Sequence, residues 1–149
     1  MFLVAVTGSI DIALESINKI TNNEKFEELK EELFRNIVSA IHLIADFEER
    51  IRATIGEEDS EFFKAFLYVN NQLKHDVDLE IFYYAVAGSM FPFFFPMRFG
   101  KPGLIWSNFT DKGSAKARGK RSHYEKHLME KDVANTLERI KKIILNLKG

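Results

Sequence analysis

Apolar side chains recur every three or four residues through the first half of the chain, the spacing that places them on one face of a helix. One such stripe spans residues 3–20, and a second spans residues 26–55 with glutamates early and arginines late, as the helix dipole favours. A third stripe, over residues 62–73, follows Asp59 and Ser60, either of which can cap a helix N-terminus. The pattern therefore predicts three helices, at about residues 2–21, 24–55 and 60–75.

The helical period disappears between residues 79 and 106, where Phe, Tyr, Ile and Val gather between Gly and Pro residues. Phe99 and Leu104 flank residues 100–103, Gly-Lys-Pro-Gly, which favour a hairpin turn because Gly accepts a positive φ and Pro fixes its own. This composition predicts two short strands, or three, within the region. Residues 107–122 hold Phe109 as their one large apolar side chain and are predicted to form a mobile basic loop.

A last apolar stripe predicts a fourth helix at about residues 124–147, with a lysine-rich end. Amphipathic helices bury their stripes only against one another, so the predicted fold is mainly α, a four-helix bundle with a β-hairpin insertion between helices 3 and 4. The 149 residues, 46% of them hydrophobic, suit a single domain with one core.

The absence of cysteine excludes disulfides, thiolate metal sites and cysteine nucleophiles, and it fits a cytoplasmic protein. The first residues carry no basic segment of the kind that opens a signal peptide. Residues 81–97 lack a charge, but they are short for a membrane span and contain Pro92 and Pro96, so we interpret them as buried protein. We expect no membrane association, and no motif calls for a cofactor or a metal ion.

Charge is distributed unevenly along the chain, although the net charge is only −1. Residues 1–80 hold 17 acidic and 8 basic side chains, whereas residues 81–149 hold 5 acidic and 13 basic ones. Either the basic half faces a polyanion, or the two halves neutralise each other within one fold or between subunits.

Six cations lie within 15 positions of one another in the basic loop and the helix that follows it: Lys112, Lys116, Arg118, Lys120, Arg121 and Lys126. A segment of this charge can follow a phosphate backbone without reading its sequence. Trp106, Phe109 and Tyr124 are nearby aromatic residues that either stack on bases or belong to the core. The alternative interpretation is a solvated loop that binds nothing.

Five phenylalanines cluster around the two prolines of the hairpin region: Phe91, Phe93, Phe94, Phe95 and Phe99. Alternate side chains of an extended strand point to opposite faces, so these residues cannot all face one core. We interpret the cluster as a packed cap on the bundle, covered by the late loop and helix or by a second subunit. The second arrangement predicts a homodimer.

Histidines are the natural candidates for proton transfer near neutral pH. His42 lies between apolar residues of the second helix, and we interpret it as a partly buried, hydrogen-bonded helix residue. His123 and His127 have the spacing of a metal pair, but no recognised motif supplies a third ligand, so a solvated basic helix start is the simpler interpretation.

His75 has the most polar surroundings of the four histidines, because it ends the third helix close to Asn70, Asn71, Lys74 and Asp76. An imidazole in such a patch can abstract a proton while an ammonium group and amides hold an anion. The alternative is a polar helix end, where His and Lys complement the helix dipole and Asn interrupts the helix.

Residues 71–75, Asn-Gln-Leu-Lys-His, lie on the third helix of a predicted bundle and resemble the Arg-Asn-x-x-x-His signature of the HEPN superfamily. Domains of that family are helical bundles, often metal-independent endoribonucleases of toxin, abortive-infection and CRISPR systems, and many dimerise with the motif at the interface. The resemblance implies that His75 takes the proton of a ribose 2′-hydroxyl and that Asn71 orients the site. Asn70 occupies the position of the motif's arginine, so Lys74 partly replaces the missing cation.

The catalytic residues expected on this hypothesis are His75, Asn71, Lys74 and Asn70. A lysine reproduces the bidentate phosphate grip of arginine poorly, so the resemblance implies either an endoribonuclease or a binding-only RNA protein of a bacterial defence or toxin–antitoxin system. The alternative function is a noncatalytic interaction module whose Phe-rich hairpin and acidic first half bind protein. The first hypothesis predicts that His75 lies in an exposed cleft that faces basic groups or its symmetry mate, and the second that nothing converges on it.

Overall fold

The computed structural model describes residues 1–51, 54–85, 103–111 and 119–148 of the chain. Within these residues the polypeptide forms helices and one pair of strands, in an order that confirms the mainly helical class and the hairpin between the third and fourth helices. The elements are α1 (Phe2–Asn18), α2 (Asn23–Ile51), α3 (Glu57–His75), β1 (Phe82–Ala85), β2 (Gly103–Trp106), α4 (Arg121–His127) and α5 (Val133–Lys148).

The four longer helices bury their predicted stripes in one core. Helix α1 packs against α2 and α5, and α2 packs against α3. Lys141 of α5 reaches Asp11 of α1 at 2.6 Å, an ion pair at the edge of this packing. No helix in the described ranges combines the length and the apolarity that crossing a membrane requires. The core residues with no exposed surface include Val6, Ile10, Ile37, Ile44, Phe62, Phe66, Leu137, Ile140 and Ile144.

Helix α3 begins earlier than predicted but ends where expected. Gly56 is the N-cap residue, in an extended conformation, so the prediction that Asp59 or Ser60 caps the helix is wrong. The acidic residues that follow Gly56 occupy the first turn, where the positive end of the helix dipole favours carboxylates. At the other end, the backbone becomes extended at Asp76, directly after His75. The polar C-terminal end of α3 therefore lies where the sequence placed it.

The hairpin pairs β1 with β2 in antiparallel register, from Phe82 opposite Trp106 to Ala85 opposite Gly103. The predicted turn at residues 100–103 is wrong at Gly103, which belongs to β2, while its other residues lie outside the described ranges. The phenylalanine cluster at residues 91–99 also lies outside them. The ring of Phe82 packs against Phe26 and Phe34 of α2, with centroids 6.4 and 6.2 Å away, so the hairpin is fixed to the bundle.

The prediction of one continuous helix over residues 124–147 is wrong, because the chain breaks between α4 and α5 to pair with β2. The Glu130 N–H donates to the carbonyl of Trp106 at 2.8 Å, and the Trp106 N–H donates to the carbonyl of Lys131 at 3.0 Å. Glu130 adopts a positive φ of 62° in this turn. Asp132 then accepts the N–H of Asn135 at 2.9 Å and starts α5. Backbone pairing with a strand has replaced the helical hydrogen bonds that the apolar period predicted.

Candidate functional site

The four residues that carry the resemblance lie together on the last two turns of α3. Asn70 and Lys74 are four residues apart and share one stripe of the helix, and Asn71 and His75 share the neighbouring stripe. Lys74 and His75 are exposed, whereas the two asparagines are half-buried. The helix thus presents an imidazole and an ammonium group to solvent at its C-terminal end, where the dipole favours cations.

The side-chain amide of Asn71 contains a polar atom that makes no hydrogen bond in the described structure. Its side-chain nitrogen Nδ2 is buried and has no hydrogen-bond partner within the described ranges. Leaving such a donor unsatisfied costs about 1–3 kcal/mol, so native proteins rarely do so without a reason. The orphaned amide lies on the same stripe as His75, one turn before it.

Tyr68 lies one turn before Asn71 on the same side of α3, and it anchors the beginning of the basic loop. Its hydroxyl is hydrogen-bonded to the carboxylate of Asp111, and Arg121 donates to the same hydroxyl at 3.2 Å. Burial and the neighbouring Asp111 carboxylate raise the pKa of Tyr68 to about 12. The phenol therefore stays protonated at neutral pH and acts as a fixed hydrogen-bond donor.

Arg121, one of the six predicted RNA-binding cations, is held by acceptors of this chain. Its guanidinium donates to the carbonyl of Phe109 at 2.7 Å and to the side chain of Asn108 at 2.5 Å. It also forms an ion pair with Glu125 at 3.3 Å. With a quarter of its side chain exposed, Arg121 primarily fastens residues 107–111 to the start of α4.

The other predicted cations have different surroundings. Lys126 forms an ion pair with Glu61 of α3 at 3.2 Å, although 63% of its side chain stays exposed. Lys120 is exposed immediately before α4. The remaining three lie outside the described ranges: Lys112, Lys116 and Arg118.

Gly119 marks the point where the basic loop rejoins the described structure, and it is tightly packed rather than flexible as predicted. A Cβ atom at this position would lie 2.4 Å from the backbone nitrogen of Tyr68 and 2.5 Å from the carbonyl oxygen of Lys64. Asp111 and Gly119 therefore both lie against Tyr68. Along the helix axis, Tyr68 and His75 are separated by seven residues, or about 10 Å.

His123 and His127 lie on α4, against the N-terminal half of α3. His127 is buried, so the interpretation of this helix start as solvated is wrong at His127. Its Nε2 atom lies 3.9 Å from a carboxylate oxygen of Glu61, beyond hydrogen-bond distance. The Nδ1 atom of His123 accepts the N–H of Lys120 at 3.4 Å. In the part of the chain that the structure describes, no group of three His, Asp or Glu side chains is arranged to hold a metal ion.

Burial of the two α4 histidines makes stability depend on pH. Desolvation lowers the pKa of both His123 and His127, more than the Glu61 carboxylate raises it. The folded protein consequently binds protons at these residues less readily than the unfolded chain, whose histidines titrate near 6.5. Their contribution to stability is complete above that pH and is lost as the pH falls through their folded pKa values.

We therefore expect the free energy of unfolding to fall between pH 7 and pH 5, and His127→Gln to reduce this slope. Denaturant unfolding at several pH values, compared with the parent chain, measures the difference. Glu61 does not obscure it, because the hydrogen bond from Lys126 lowers the pKa of Glu61, so that carboxylate titrates at more acidic pH. An unchanged slope in the variant would contradict the assignment.

These contacts define a mainly helical domain with a polar patch at the end of α3 and the anchors of a basic loop beside it. Comparison with known proteins assigns no family. No protein-family model matches the chain, and no curated protein or solved structure matches it either.

Sequence reasoning missed the residues that organise the loop. The hydrogen bonds of Tyr68 reach residues 43 and 53 positions away, and the Lys126–Glu61 pair spans 65 positions. Contacts between residues so far apart leave no periodic pattern in the sequence. One local clue was available, since Phe109 is the one large apolar residue in the loop, and it is buried against the rings of Tyr68 and Tyr124. Trp106, Phe109 and Tyr124 are all buried, so the expectation that bases stack on them is wrong and they belong to the core.

Proposed function

We propose that this protein binds RNA at the C-terminal end of α3 and cleaves it in a HEPN-like reaction that needs no metal ion. The observation that carries the proposal is the arrangement on one side of α3. His75 and Lys74 are exposed there, and both anchors of the basic loop, Asp111 and Gly119, contact Tyr68 about 10 Å away along the helix axis.

In this reaction His75 acts as the general base. Its neutral imidazole takes the proton of a ribose 2′-hydroxyl while the 2′-oxygen forms a bond to the adjacent phosphorus. The bond from phosphorus to the 5′-oxygen of the next nucleotide breaks, and that oxygen takes a proton from solvent. The products are a 2′,3′-cyclic phosphate and a 5′-hydroxyl.

The neighbouring residues have positioning and electrostatic roles. Lys74 places a positive charge one residue from His75 and stabilises the phosphate as negative charge develops on it. Asn71 supplies the unsatisfied amide donor, one turn from the base. Asn70, in the place of the family's arginine, contributes a neutral hydrogen-bonding group on the stripe of Lys74. Since an ammonium group grips phosphate less well than a guanidinium, we expect slow turnover.

The cations of the basic loop supply affinity for the RNA backbone in this proposal. Because Arg121 and Lys126 are paired with groups of this chain, the role falls to Lys112, Lys116, Arg118 and Lys120. Binding through phosphates weakens steeply with salt, and each contact contributes roughly 0.7 to the slope for single strands. The wider proposal, a cytoplasmic homodimer of a defence or toxin–antitoxin system, depends on the same resemblance.

His75→Ala tests the proposal most directly. With purified protein and a labelled single-stranded RNA in EDTA, we expect the cleavage rate to fall by about 10²- to 10⁴-fold, the usual contribution of a general base. His42→Ala is the matched control, because His42 is exposed on α2, with 58% of its side chain accessible, and the prediction that it is partly buried is wrong. If His75→Ala and His42→Ala reduced the cleavage rate equally, the catalytic role of His75 would be contradicted.

The same assay separates catalysis from binding. Measuring RNA affinity at two salt concentrations for the parent chain and His75→Ala shows whether binding survives without the imidazole. Salt-sensitive binding without cleavage would assign the chain to the binding-only class. Neither cleavage nor binding would favour the alternative function, a noncatalytic module that binds protein.

A further inference from the structure

A groove of about 550 Å³ lies between the first half of α2 and the segment that follows α3. Phe26 and Phe34 of α2 line one wall, and residues 77–83, which form a turn and then enter β1, line the other. Its volume is within the range of ordinary ligand pockets, about 300–1,000 Å³. The helical wall from Phe26 to Phe34 is eight residues, or about 12 Å, long, so the groove can hold a short segment of extended peptide.

Aromatic and aliphatic side chains form the apolar part of this groove. The ring of Phe82 lies between those of Phe26 and Phe34, with centroids 6.4 and 6.2 Å away. Val77, 72% exposed, stands at the edge. An exposed valine beside three partly buried rings offers a contiguous surface on which a bulky apolar side chain can be buried.

The rim of the groove is strongly acidic. Glu27 and Glu31 line the helical side, Asp78 and Glu80 line the other side, and Lys30 is the one cation among the lining residues. Glu27 holds the ammonium group of Lys30 at 3.0 Å. The hydrogen bond between Lys30 and Glu27 raises the pKa of Lys30, and the charges of Glu80 and Glu31 raise it further. The lining residues thus include four carboxyl groups and one ammonium group, a formal net charge of −3.

This charge determines the kind of occupant. A nucleic acid or an acidic peptide is repelled by carboxylates on both walls, whereas cationic side chains are attracted to them and also bind favourably to aromatic faces. Apolar surface between the two walls adds a requirement for a bulky apolar group near the cations.

We propose that the groove binds an extended peptide segment of a partner protein in which Lys or Arg residues flank a bulky apolar side chain. The apolar side chain packs on Val77 and the phenylalanine rings, and the cations pair with the carboxylates of the two walls. This site is separate from the proposed RNA site and does not depend on it.

Binding of labelled peptides, followed by fluorescence anisotropy, tests the proposal. The probe is Gly-Arg-Lys-Leu-Lys-Arg-Gly, and it is compared with a version in which Ala replaces Leu and one in which Glu replaces every cation. We expect binding of the first peptide, weaker binding of the second and none of the third. Equal binding of the Leu and Ala peptides, or any binding of the Glu peptide, would overturn the proposal.

Variants of exposed residues locate the binding. The triple variant Glu31→Gln, Asp78→Asn and Glu80→Gln should weaken binding of the Leu peptide about tenfold or more. A control that removes three exposed carboxylates elsewhere, Glu15→Gln, Glu49→Gln and Glu138→Gln, should change it less than about twofold. Equal losses in the two triple variants would mean nonspecific attraction and would sink the proposal.

Val77→Ser examines the apolar contact by itself. It should weaken binding of the Leu peptide several-fold and leave the Ala peptide unchanged, a coupling that charge effects do not produce. Sedimentation of each variant shows whether a second copy of this chain, rather than a peptide, occupies the groove. A dimer of this chain that the groove variant abolishes, with no binding of the peptides, would assign the groove to a second copy and overturn the proposal.

Discussion

Replacing Gly119 by Ala is expected to lower the free energy of unfolding by about 3 kcal/mol, the upper end of the usual cost of overpacking. The new Cβ would lie 2.4 Å from the Tyr68 nitrogen, 2.5 Å from the Lys64 oxygen and 2.9 Å from the Leu67 carbonyl carbon. All three atoms belong to the backbone of α3, which cannot rotate out of the way. In a chain of this size the loss corresponds to a fall in Tm of roughly 10 °C, measurable by circular dichroism.

Gly8→Ala is the matched control for this substitution. Gly8 lies inside α1, and an added Cβ would find no atom within 4 Å. Alanine is favoured over glycine in a helix by about 0.5–1 kcal/mol, so this variant should be more stable than the parent chain. The same change from Gly to Ala is thus expected to lower the free energy of unfolding at Gly119 and to raise it at Gly8. A Gly119→Ala protein as stable as the parent would show that the loop does not cross α3 in contact with its backbone.

The close contact at Gly119 also links stability to the proposed RNA function. Gly119 and Asp111 hold the two described ends of the basic loop against α3, near the patch formed by Asn71 and His75. A substitution that displaces Gly119 moves this anchor without removing a charge or a catalytic group. In the proposed RNA protein, affinity for RNA should then fall even under conditions in which the variant is fully folded.

The helical part of the fold was readable from the sequence because apolar periodicity reports which residues face the core. Val6, Ile10 and Ala13 recur at the spacing of one helix face, and all three have no exposed surface. The break between α4 and α5 was not readable in this way. It depends on two backbone hydrogen bonds, from the Glu130 N–H to the Trp106 carbonyl and from the Trp106 N–H to the Lys131 carbonyl, which the side chains of this segment do not encode.

The candidate site, like the fold, was predictable from the sequence only in part. The polar end of α3 was predictable, because the spacing of Asn71, Lys74 and His75 within one helix sets their relative positions. It was not predictable, however, which basic side chains are bound by other groups of the chain. Arg121 carries the same charge as its neighbours in the sequence, yet its guanidinium is occupied by the carbonyl of Phe109 and other acceptors that only the folded chain brings together.

The charge asymmetry of the sequence has a structural counterpart on either side of His75. The acidic groove begins at Val77, two residues after His75, whereas the anchors of the basic loop lie on the preceding turns of α3 at Tyr68. An RNA strand would therefore approach His75 from the side of Tyr68 and Lys74, away from the carboxylates of Asp78 and Glu80. The two proposals use different residues and opposite partner charges, so both can hold for one protein.

Trp106→Ala is expected to have the largest effect on stability, a loss of about 4 kcal/mol, within the range for removing a buried aromatic side chain. Trp106 has no exposed surface and connects three parts of the fold. Its indole Nε1 donates to the hydroxyl of Thr136 in α5 at 2.8 Å. Its ring meets the edge of Phe66 in α3 at 6.0 Å, while its backbone belongs to β2.

Two milder variants separate the contributions of packing and hydrogen bonding at this position. Trp106→Phe keeps most of the apolar contact and should cost about 1–2 kcal/mol. Thr136→Val keeps the tryptophan but leaves its buried N–H without an acceptor, which should cost about 1–3 kcal/mol. Denaturant unfolding followed by circular dichroism measures all three variants, since Trp106 is the sole tryptophan and its fluorescence vanishes with it. If Trp106→Ala cost no more than Thr136→Val, the hydrogen bond rather than ring packing would hold the hairpin to the bundle, and the contact between Trp106 and Phe66 would contribute little to stability.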